Sequence, residues 1–303
     1  MLANYLSTPE VYLKHYLETF LNLKLGLIGN AIAKSKAPAL HIFLGELHGL
    51  DVTYDLFDPL SNTEDGFIIQ INDLRDRGYS GCNVTYPFKQ IAMQSAEHCE
   101  PSAKLVGATN TIKFGSETRA INTDHSGFIR ALTSKLAAAE FGSTLILGAG
   151  GVGRAVAFGL ASLSTGICHI FDPSTDRASE LVSALNKNGF HSKIVRESEL
   201  GSVSQRVKGI LNCSPIGHYQ SPGVPIDLKY IGGQTWAFDA VYTPLDTEFL
   251  KTCRAANLQV VSGFELFFYQ GLDSFEFWTK QKADEKGVRE AFIRQSGINK
   301  ALI

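Results

Sequence analysis

The stretch Leu145–Ala155, LILGAGGVGRA, decides the fold of the second half of this chain. Its apolar opening is typical of a buried strand, and a GxGxxG pattern follows where a helix would begin. Gly148 permits the tight turn, Gly150 lets the backbone approach a pyrophosphate, and Gly153 lets helix and strand pack closely. The helix N-terminus adds free N–H groups and the positive end of a dipole. The stretch therefore predicts a dinucleotide-binding turn, with an ordinary glycine turn as the alternative.

Apolar runs alternate with helical patterns on both sides of this turn, which is the rhythm of an α/β fold. In the second half, helices are predicted at Gly151–Leu163 and Asp176–Lys187. Strands are predicted there at Leu145–Leu147, Ile167–Phe171, Gly209–Asn212, Trp236–Ala240 and Gln259–Val261. The first half predicts helices at about Thr8–Leu21, Ala37–Gly49, Asp65–Arg77 and after Pro87, and strands at Leu23–Ile28, Val52–Phe57 and up to Asn83–Thr85. A hairpin is expected from Thr109–Phe114 and Arg119–Asn122, which flank a turn-forming Gly-Ser-Glu triplet.

A chain of 303 residues is long enough for two domains with separate cores. We expect an N-terminal α/β substrate domain and a Rossmann-type dinucleotide-binding domain, separated by a cleft. Residues 1–124 and 264–303 are assigned to the substrate-binding and catalytic domain, and residues 125–263 to the Rossmann-type dinucleotide-binding domain. The last helices, at about Phe264–Gln281 and Lys286–Arg294, would then pack back on the first domain.

Charge and cysteine content exclude several classes of function. The net charge is -2, so no positive excess is available for a nucleic acid or an anionic membrane surface. The five cysteines are scattered and form no CxxC pair, and no histidine pair has HxxxH spacing, so neither disulfides nor a metal site are expected. No signal peptide or membrane span is predicted, and we expect a cytoplasmic protein.

An acidic residue follows the second strand of the predicted dinucleotide-binding domain. Asp172 comes about 20 residues after the glycine turn, where a carboxylate would reach the adenosine ribose hydroxyls. The same charge would repel a 2'-phosphate, so NAD is expected in preference to NADP. In the alternative, Asp172 is only a helix N-cap with Pro173 as the first helical residue.

Two further residues form a candidate acid-base pair. Lys89 follows a strand and is predicted in the first turn of a helix, where a cation is disfavoured, so it either points to solvent or is used chemically. Asp124 lies between a strand and a helix that leads toward the second domain, and taken alone it is a good N-cap. If the two face each other in a cleft, they can move a proton while a nicotinamide moves a hydride.

Several motifs in order resemble the shikimate/quinate dehydrogenase family between about Leu23 and Trp278. They are GLIGN at 26–30 followed by Ser35, NVTxPxK at 83–89, GAxNT at 107–111, NTDxxG at 122–127, GAGG at 148–151, and Gly263 with Gln270. The resemblance implies reversible oxidation of the ring 3-hydroxyl of shikimate or quinate, an activity of the shikimate pathway of aromatic amino acid biosynthesis. It implies Lys89 as the catalytic lysine and Asp124 as its partner carboxylate.

The resemblance also implies a set of binding residues. Ser35 would hold the substrate carboxylate, while Thr85, Asn110, Asp124 and Gln270 would hold ring hydroxyls. Asn83 and Tyr242 would line the same pocket. The cofactor contacts would be Gly148, Ala149, Gly150, Gly151, Val152, Gly153, Asp172 and Gly263.

The sequence departs from the family pattern at two places. Ala37 stands where a second hydroxyl residue is usual, and a hydrogen bond to a charged group contributes about 1.5 to 3 kcal/mol. Asp172-Pro173-Ser174 stands where NADP-using relatives typically have Asn-Arg-Thr, which again favours NAD.

The expected partner is a small cyclitol carboxylate. Neither a nucleic acid nor a membrane is expected as a partner, and a homodimer is left open. One alternative is a nucleotide-sensing binding protein that kept the fold and lost catalysis. Another is a methylene-tetrahydrofolate dehydrogenase, for which no pterin site is found.

Overall fold

The computed structural model describes residues 22–59, 61–137, 141–163 and 166–303. Within these ranges the chain builds two six-stranded sheets with helices packed on them. The predicted opening helix, Thr8–Leu21, lies outside the described residues. No helix within the four ranges combines the length and the apolar composition that a membrane crossing requires.

The first sheet is mixed and has the strand order β2-β1-β3-β5-β6-β4. Its strands are β1 Asn22–Ile28, β2 Asp51–Phe57, β3 Gly81–Val84, β4 His98–Cys99, β5 Thr111–Lys113 and β6 Arg119–Ile121. Strand β1 pairs in parallel with β2 and β3, and β5 pairs antiparallel with β3 and β6. The antiparallel β5-β6 register confirms the predicted hairpin. The short strand β4 was not predicted, because two residues carry no alternation to detect.

The helices of the first half are α1 Ala37–Leu47, α2 Glu64–Asp76 and α3 Pro101–Val106. The predicted helix after Pro87 is wrong. The backbone from Tyr86 to Gln90 forms turns, and only a short 3₁₀ helix follows at Ile91–Ser95. One reason is a tertiary contact, since the Lys89 carbonyl accepts a hydrogen bond from the Thr109 amide (2.8 Å).

The second sheet is entirely parallel and has the order β12-β11-β10-β7-β8-β9. Its strands are β7 Thr144–Leu147, β8 Cys168–Phe171, β9 Ser192–Ile194, β10 Gly209–Asn212, β11 Trp236–Asp239 and β12 Gln259–Val261. Its fully buried strands explain the near-continuous apolar runs in the sequence. The remaining helices are α4 Thr123–Lys135, α5 Gly151–Leu163, α6 Thr175–Lys187, α7 Leu200–Ser204, α8 Glu248–Ala255, α9 Gly263–Thr279 and α10 Glu285–Ser296.

Helices α4 and α9 join the two sheets and pack closely on each other. Helix α4 follows the last strand of the first sheet, and α9 follows the last strand of the second. Helix α9 also contacts α1, because a Cβ at Gly271 would lie 2.4 Å from Leu40 Cδ2. Phe292 of α10 packs on Phe43 of α1, with ring centroids 6.3 Å apart. The last two helices thus return to the first half of the chain.

Candidate active site

The glycine turn lies where the strand order of the second sheet reverses. The chain builds β7, β8 and β9 in one direction and then returns to place β10 on the other side of β7. Open α/β sheets bind ligands at the carboxyl ends of the two strands at such a reversal. The turn after β7 reaches this position, and a Cβ at Gly148 would lie 2.8 Å from the backbone carbonyl carbon of Cys213, just after β10.

The three glycines of the motif have three different environments. Gly148 has a φ of +108°, which only glycine adopts without strain. A Cβ at Gly153 would lie 1.9 Å from the Gly148 carbonyl oxygen, so this position is closed to any side chain. A Cβ at Gly150 would meet nothing within 4 Å. Gly150 therefore borders open space, as a backbone that must approach a ligand does.

The Asp172 carboxylate braces this turn. Its Oδ2 accepts from the Ala149 amide at 2.8 Å and its Oδ1 from the Ser174 amide at 2.8 Å. The guanidinium of Arg177 lies 3.2 Å from Oδ1. The N-cap of α6 is Ser174, whose side chain accepts from the Arg177 amide. The alternative in which Asp172 is the N-cap with Pro173 as the first helical residue is therefore wrong.

The first sheet has an equivalent reversal between β1 and β3. The loop after β1 carries Ser35, and the turn after β3 carries Thr85 and Lys89. The two segments touch, because a Cβ at Gly29 would lie 2.1 Å from Thr85 Cγ2. Because Lys89 lies in a turn and not in a helix, the expected repulsion by a helix dipole does not apply to it.

Lys89 and Asp124 form a buried ion pair. Lys89 Nζ lies 2.5 Å from Asp124 Oδ2, and the side chains are 10% and 8% exposed. Asp124 is in the first turn of α4 but does not cap it, since Asn122 is the N-cap and accepts from the His125 amide at 3.0 Å. The carbon stem of Lys89 borders the glycine turn, because a Cβ at Gly151 would lie 3.0 Å from Lys89 Cδ. The pair therefore lies between the two sheets, beside the glycine turn.

Ser35 and Tyr242 come together from opposite halves. Burial raises the pKa of the Tyr242 phenol, and the Ser35 side chain and the Lys36 backbone, which lie close to the phenol, oppose this rise. The Tyr242 ring stacks on Phe267 of α9, with centroids 4.7 Å apart. Ser35 Oγ also accepts from the Ala37 amide at 3.2 Å. The hydroxyl groups of Ser35 and Tyr242 thus form one polar corner.

Gly263 and Gln270 lie on α9, seven residues apart and therefore on the same side of the helix. A Cβ at Gly263 would lie 2.4 Å from the Val241 carbonyl oxygen, so this glycine lets α9 begin against the segment that carries Tyr242. Gln270 is half-buried, and its Nε2 donates to the Phe267 carbonyl at 3.0 Å.

A buried polar cluster lies in the first half; its members are Tyr54, Asn83, Asn110, Thr111, Thr123 and Ser274. Asn83 Oδ1 accepts from the Tyr54 hydroxyl at 2.7 Å, and its Nδ2 donates to Thr111 Oγ1 at 2.9 Å and Ser274 Oγ at 3.2 Å. Asn110 Oδ1 accepts from the Thr123 amide at 2.7 Å. The cluster holds β2, β3, β5, α4 and α9 together. Asn83 therefore stabilises the packing of these elements. Its contact with substrate stays a prediction.

Sequence patterns did not identify four members of this cluster, namely Tyr54, Thr111, Thr123 and Ser274. Two of them carried a usable signal. Strand alternation places Tyr54 on the same face as the buried Val52, and helical spacing places Ser274 four residues after Gln270. Neither pattern says which polar partner the side chain will meet.

Within the described ranges, no group of three or more His, Cys, Asp or Glu side chains is arranged to hold a metal ion. The groups that meet in the cleft are an ammonium, a carboxylate, hydroxyls and the backbone of the glycine turn. Such a site suits proton transfer next to a bound dinucleotide.

Comparison with known proteins decides the family. The family model "Shikimate dehydrogenase substrate binding domain" matches residues 27–112. The chain is 32% identical over 274 residues to the shikimate dehydrogenase (NADP(+)) of Pseudarthrobacter chlorophenolicus, covering 88% of this chain and 93% of that protein. This chain belongs to the shikimate/quinate dehydrogenase family.

A second relative and a solved structure extend this result. The quinate/shikimate dehydrogenase (NAD(+)) of Corynebacterium efficiens is 31% identical over 283 residues, covering 90% of this chain and 98% of that protein. The structure of quinate dehydrogenase from Corynebacterium glutamicum in complex with NAD superposes with a TM-score of 0.82 at 30% identity, covering 90% and 99% of the two chains. The fold of an N-terminal substrate domain and a Rossmann domain is the fold of this family.

Proposed function

We propose that this chain catalyses the reversible oxidation of the ring 3-hydroxyl of shikimate, quinate or a close analogue, with NAD as the preferred cofactor. The family supports an oxidoreductase of the shikimate/quinate dehydrogenase type that uses a nicotinamide dinucleotide. One observation carries the proposal furthest: a buried lysine and carboxylate, 2.5 Å apart, lie beside the glycine turn.

The residues of the second half fit a nicotinamide dinucleotide. Gly150 borders open space, α5 begins at Gly151 with its N-terminus toward that space, and Asp172 follows the neighbouring strand. We assign the cofactor contacts to this turn, to Asp172 and to Gly263. When bound, the cofactor accepts a hydride from the carbon that bears the hydroxyl group.

Lys89 and Asp124 handle the proton in this proposal. Oxidation removes a hydride from carbon and a proton from oxygen, so a group near the hydroxyl must take the proton. The Asp124 carboxylate accepts a hydrogen bond from the hydroxyl, and the Lys89 amino group takes up the hydroxyl proton as the carbonyl forms and becomes the ammonium. In the reverse direction the Lys89 ammonium donates it. Burial keeps the pair away from bulk water, which strengthens its electrostatic effect.

The polar groups around the pair match a polyhydroxylated acid. Ser35 would hold the carboxylate, and Tyr242 would line the pocket. The ring hydroxyls would be held by Thr85, Asn110, Asp124 and Gln270. Asn83 would line the pocket from within the buried polar cluster. A site with several such groups can select among ring acids by the number of hydrogen bonds that each acid can make with it.

We also propose the domain division given by the sequence. Strands β1–β6 fall within residues 1–124, strands β7–β12 within 125–263, and helices α9 and α10 fall almost wholly within 264–303. The first domain would bind substrate and the second would bind the cofactor.

The preference for NAD rests on Asp172. A carboxylate repels a 2'-phosphate, and Pro173 offers no donor to one. Replacing Asp172 by Asn removes the charge and releases Arg177, which lies 3.2 Å away, to pair with a phosphate. We expect Asp172→Asn to shift the ratio of kcat/KM for NAD over NADP by at least tenfold toward NADP. The matched control is Asp176→Asn, which removes an exposed acid in the first turn of α6, the helix that carries Arg177. An equal shift in both variants would contradict the assignment.

The function is tested by a substrate panel. Shikimate, quinate and amino analogues are assayed with NAD and with NADP by the appearance of the reduced cofactor. We expect turnover of at least one ring acid and a preference for NAD. A chain that binds the cofactor but turns over no member of the panel would instead favour the nucleotide-sensing alternative.

A further inference from the structure

The position of Asp124 depends on a contact between two helices. Asp124 is in the first turn of α4, and Gln270 is in the middle of α9. The helices meet at Gly127, where an added Cβ would lie 2.6 Å from the Gln270 amide nitrogen. A shift of α4 along α9 would therefore move Asp124 relative to Gln270 and to Lys89, which belongs to neither helix.

A carboxylate close to this crossing holds the two helices in register. Asp273, one turn after Gln270, accepts hydrogen bonds from the Ser126 hydroxyl and from the Arg130 guanidinium, both on α4. The Arg130 guanidinium also donates a hydrogen bond to the Glu285 carboxylate of α10 at 2.7 Å, and it lies 4.7 Å from the centre of the Tyr269 ring. The Asp273 side chain is only 13% exposed. We call Ser126, Arg130 and Asp273 the inner clamp.

A second group of charges joins the same helices farther from Asp124. Glu265 of α9 is fully buried and accepts from Arg289 of α10 at 3.0 and 2.6 Å. Lys135 of α4 lies 3.2 Å from the same carboxylate. We call these three residues the outer clamp. Lys135 is at the far end of α4, about 16 Å along the helix from Asp124, whereas Ser126 is within one turn of it.

We propose that Asp273 is a positioning residue: through the inner clamp it holds Asp124 at the distance from Lys89 and substrate that proton transfer requires. The inference rests on the proposed function. Its physical basis is that a displacement of about 1 Å in a reacting group can cost on the order of 100-fold in rate. The outer clamp stabilises the same helix pair but acts on the far end of α4.

The decisive variants are Asp273→Asn and its matched control Glu265→Gln. Both remove one charge from a buried carboxylate on α9 that pairs with α4. We expect Asp273→Asn to lower kcat about tenfold or more, with the KM for the ring acid raised less than threefold and the Kd for NAD unchanged. Glu265→Gln should keep kcat within about threefold of the unsubstituted chain, even if its melting temperature falls as far as that of Asp273→Asn. If kcat follows the melting temperature in both variants, Asp273 is merely structural and the proposal is overturned.

A double substitution tests whether Asp273 acts through Asp124. In an Asp124→Asn background the carboxylate that the clamp positions is already lost, so adding Asp273→Asn should change kcat by less than about twofold. A full additive loss would overturn the proposal. If Asp273→Asn does not fold, Ser126→Ala removes one hydrogen bond and keeps the Arg130 pair, and we expect a smaller loss of kcat in the same direction.

A measurement without turnover separates this inference from the proposed function. The ammonium signal of Lys89 is followed by nitrogen-15 NMR in the unliganded chain and assigned with Lys89→Met. We expect the signal to be broadened or lost in Asp273→Asn and kept in Glu265→Gln. A changed signal in a chain that is inactive on the panel would uphold the positioning and reject the proposed function. An unchanged signal with kcat equal to the control would reject the positioning alone.

Discussion

The two halves of this molecule present different chemical groups to the cleft. The second half offers mainly backbone, because its glycine turn exposes amides and a Cβ at Gly150 would meet only open space. The first half offers side chains, among them Lys89 and Asp124, and Thr123, the residue before Asp124, belongs to the buried polar cluster. A backbone site is encoded by one continuous stretch, whereas a side-chain site is assembled from distant segments. Substitutions should therefore act differently in the two halves.

The largest effect is expected at Lys89, the charged group of the first half. Lys89→Met keeps much of the carbon stem beside Gly151 but removes the ammonium, so kcat should fall about 10² to 10⁴-fold. NAD should still bind, as calorimetric titration would show. The control is Lys113→Met, which removes a half-buried lysine of strand β5 that donates to the Trp278 carbonyl. Turnover retained in Lys89→Met would show that the side chains of the first half do not carry the chemistry.

A backbone site should instead be sensitive to added methyl groups. Gly150→Ala fills space that is open in the unliganded chain, so the melting temperature should stay the same while the Kd for NAD rises about 100-fold, within the range of about 1 to 3 kcal/mol for overpacking. Gly153→Ala is the contrasting variant, because its Cβ would lie 1.9 Å from a backbone oxygen and must destabilise the fold itself. Unchanged NAD binding in Gly150→Ala would show that the backbone of the glycine turn does not approach the cofactor at this position.

The polar interior of the first half also predicts a pH dependence of stability. His41 of α1 is fully buried, its ring stacks on Tyr54 with centroids 5.1 Å apart, and burial lowers its pKa from 6.5 to about 3. Between those two values the unfolded chain binds a proton that the folded chain does not, so the free energy of unfolding falls as the pH falls. From pH 7 to pH 5 the loss from this group is about 2 kcal/mol.

This dependence is measured by urea unfolding at pH 7 and pH 5. The variant His41→Phe retains an aromatic ring beside Tyr54 and cannot be protonated, so its free energy of unfolding should lose about 2 kcal/mol less than that of the unsubstituted chain over this range. Equal losses in the two proteins would show that His41 does not make the first half acid-sensitive.

The smallest effect is expected at Ala37, where the first half lacks one polar group. Ala37→Ser restores a hydroxyl two residues after Ser35, and one hydrogen bond to a carboxylate should lower the KM for shikimate about tenfold. Ala39→Ser, an exposed position on the same helix turn, is the control. If KM is unchanged in both variants, the carboxylate of the true substrate is held elsewhere.

The sequence predicted the repeating elements well because their signals are local. Helix α5 and strands β10 and β12 have the predicted bounds, and the hairpin of β5 and β6 lies within its predicted range. Local signals failed where a tertiary contact outweighed them. Pro87 predicted a helix around Lys89, but the Lys89 carbonyl bonds instead to the Thr109 amide. Asp172 has the residue type of an N-cap, yet its carboxylate accepts a hydrogen bond from the Ala149 amide, and Ser174 caps the helix.

The sequence by itself determined the α/β rhythm, the glycine turn and the family motifs, because each depends on neighbouring residues and on a fixed periodicity. Only the tertiary structure decided that Lys89 meets Asp124 beside Gly151, that Asn83 is enclosed by Tyr54 and Ser274, and that Asp273 holds α4 near the site. These contacts join segments far apart in the chain. They follow from how helices and sheets pack, for which a single sequence carries no periodic signal.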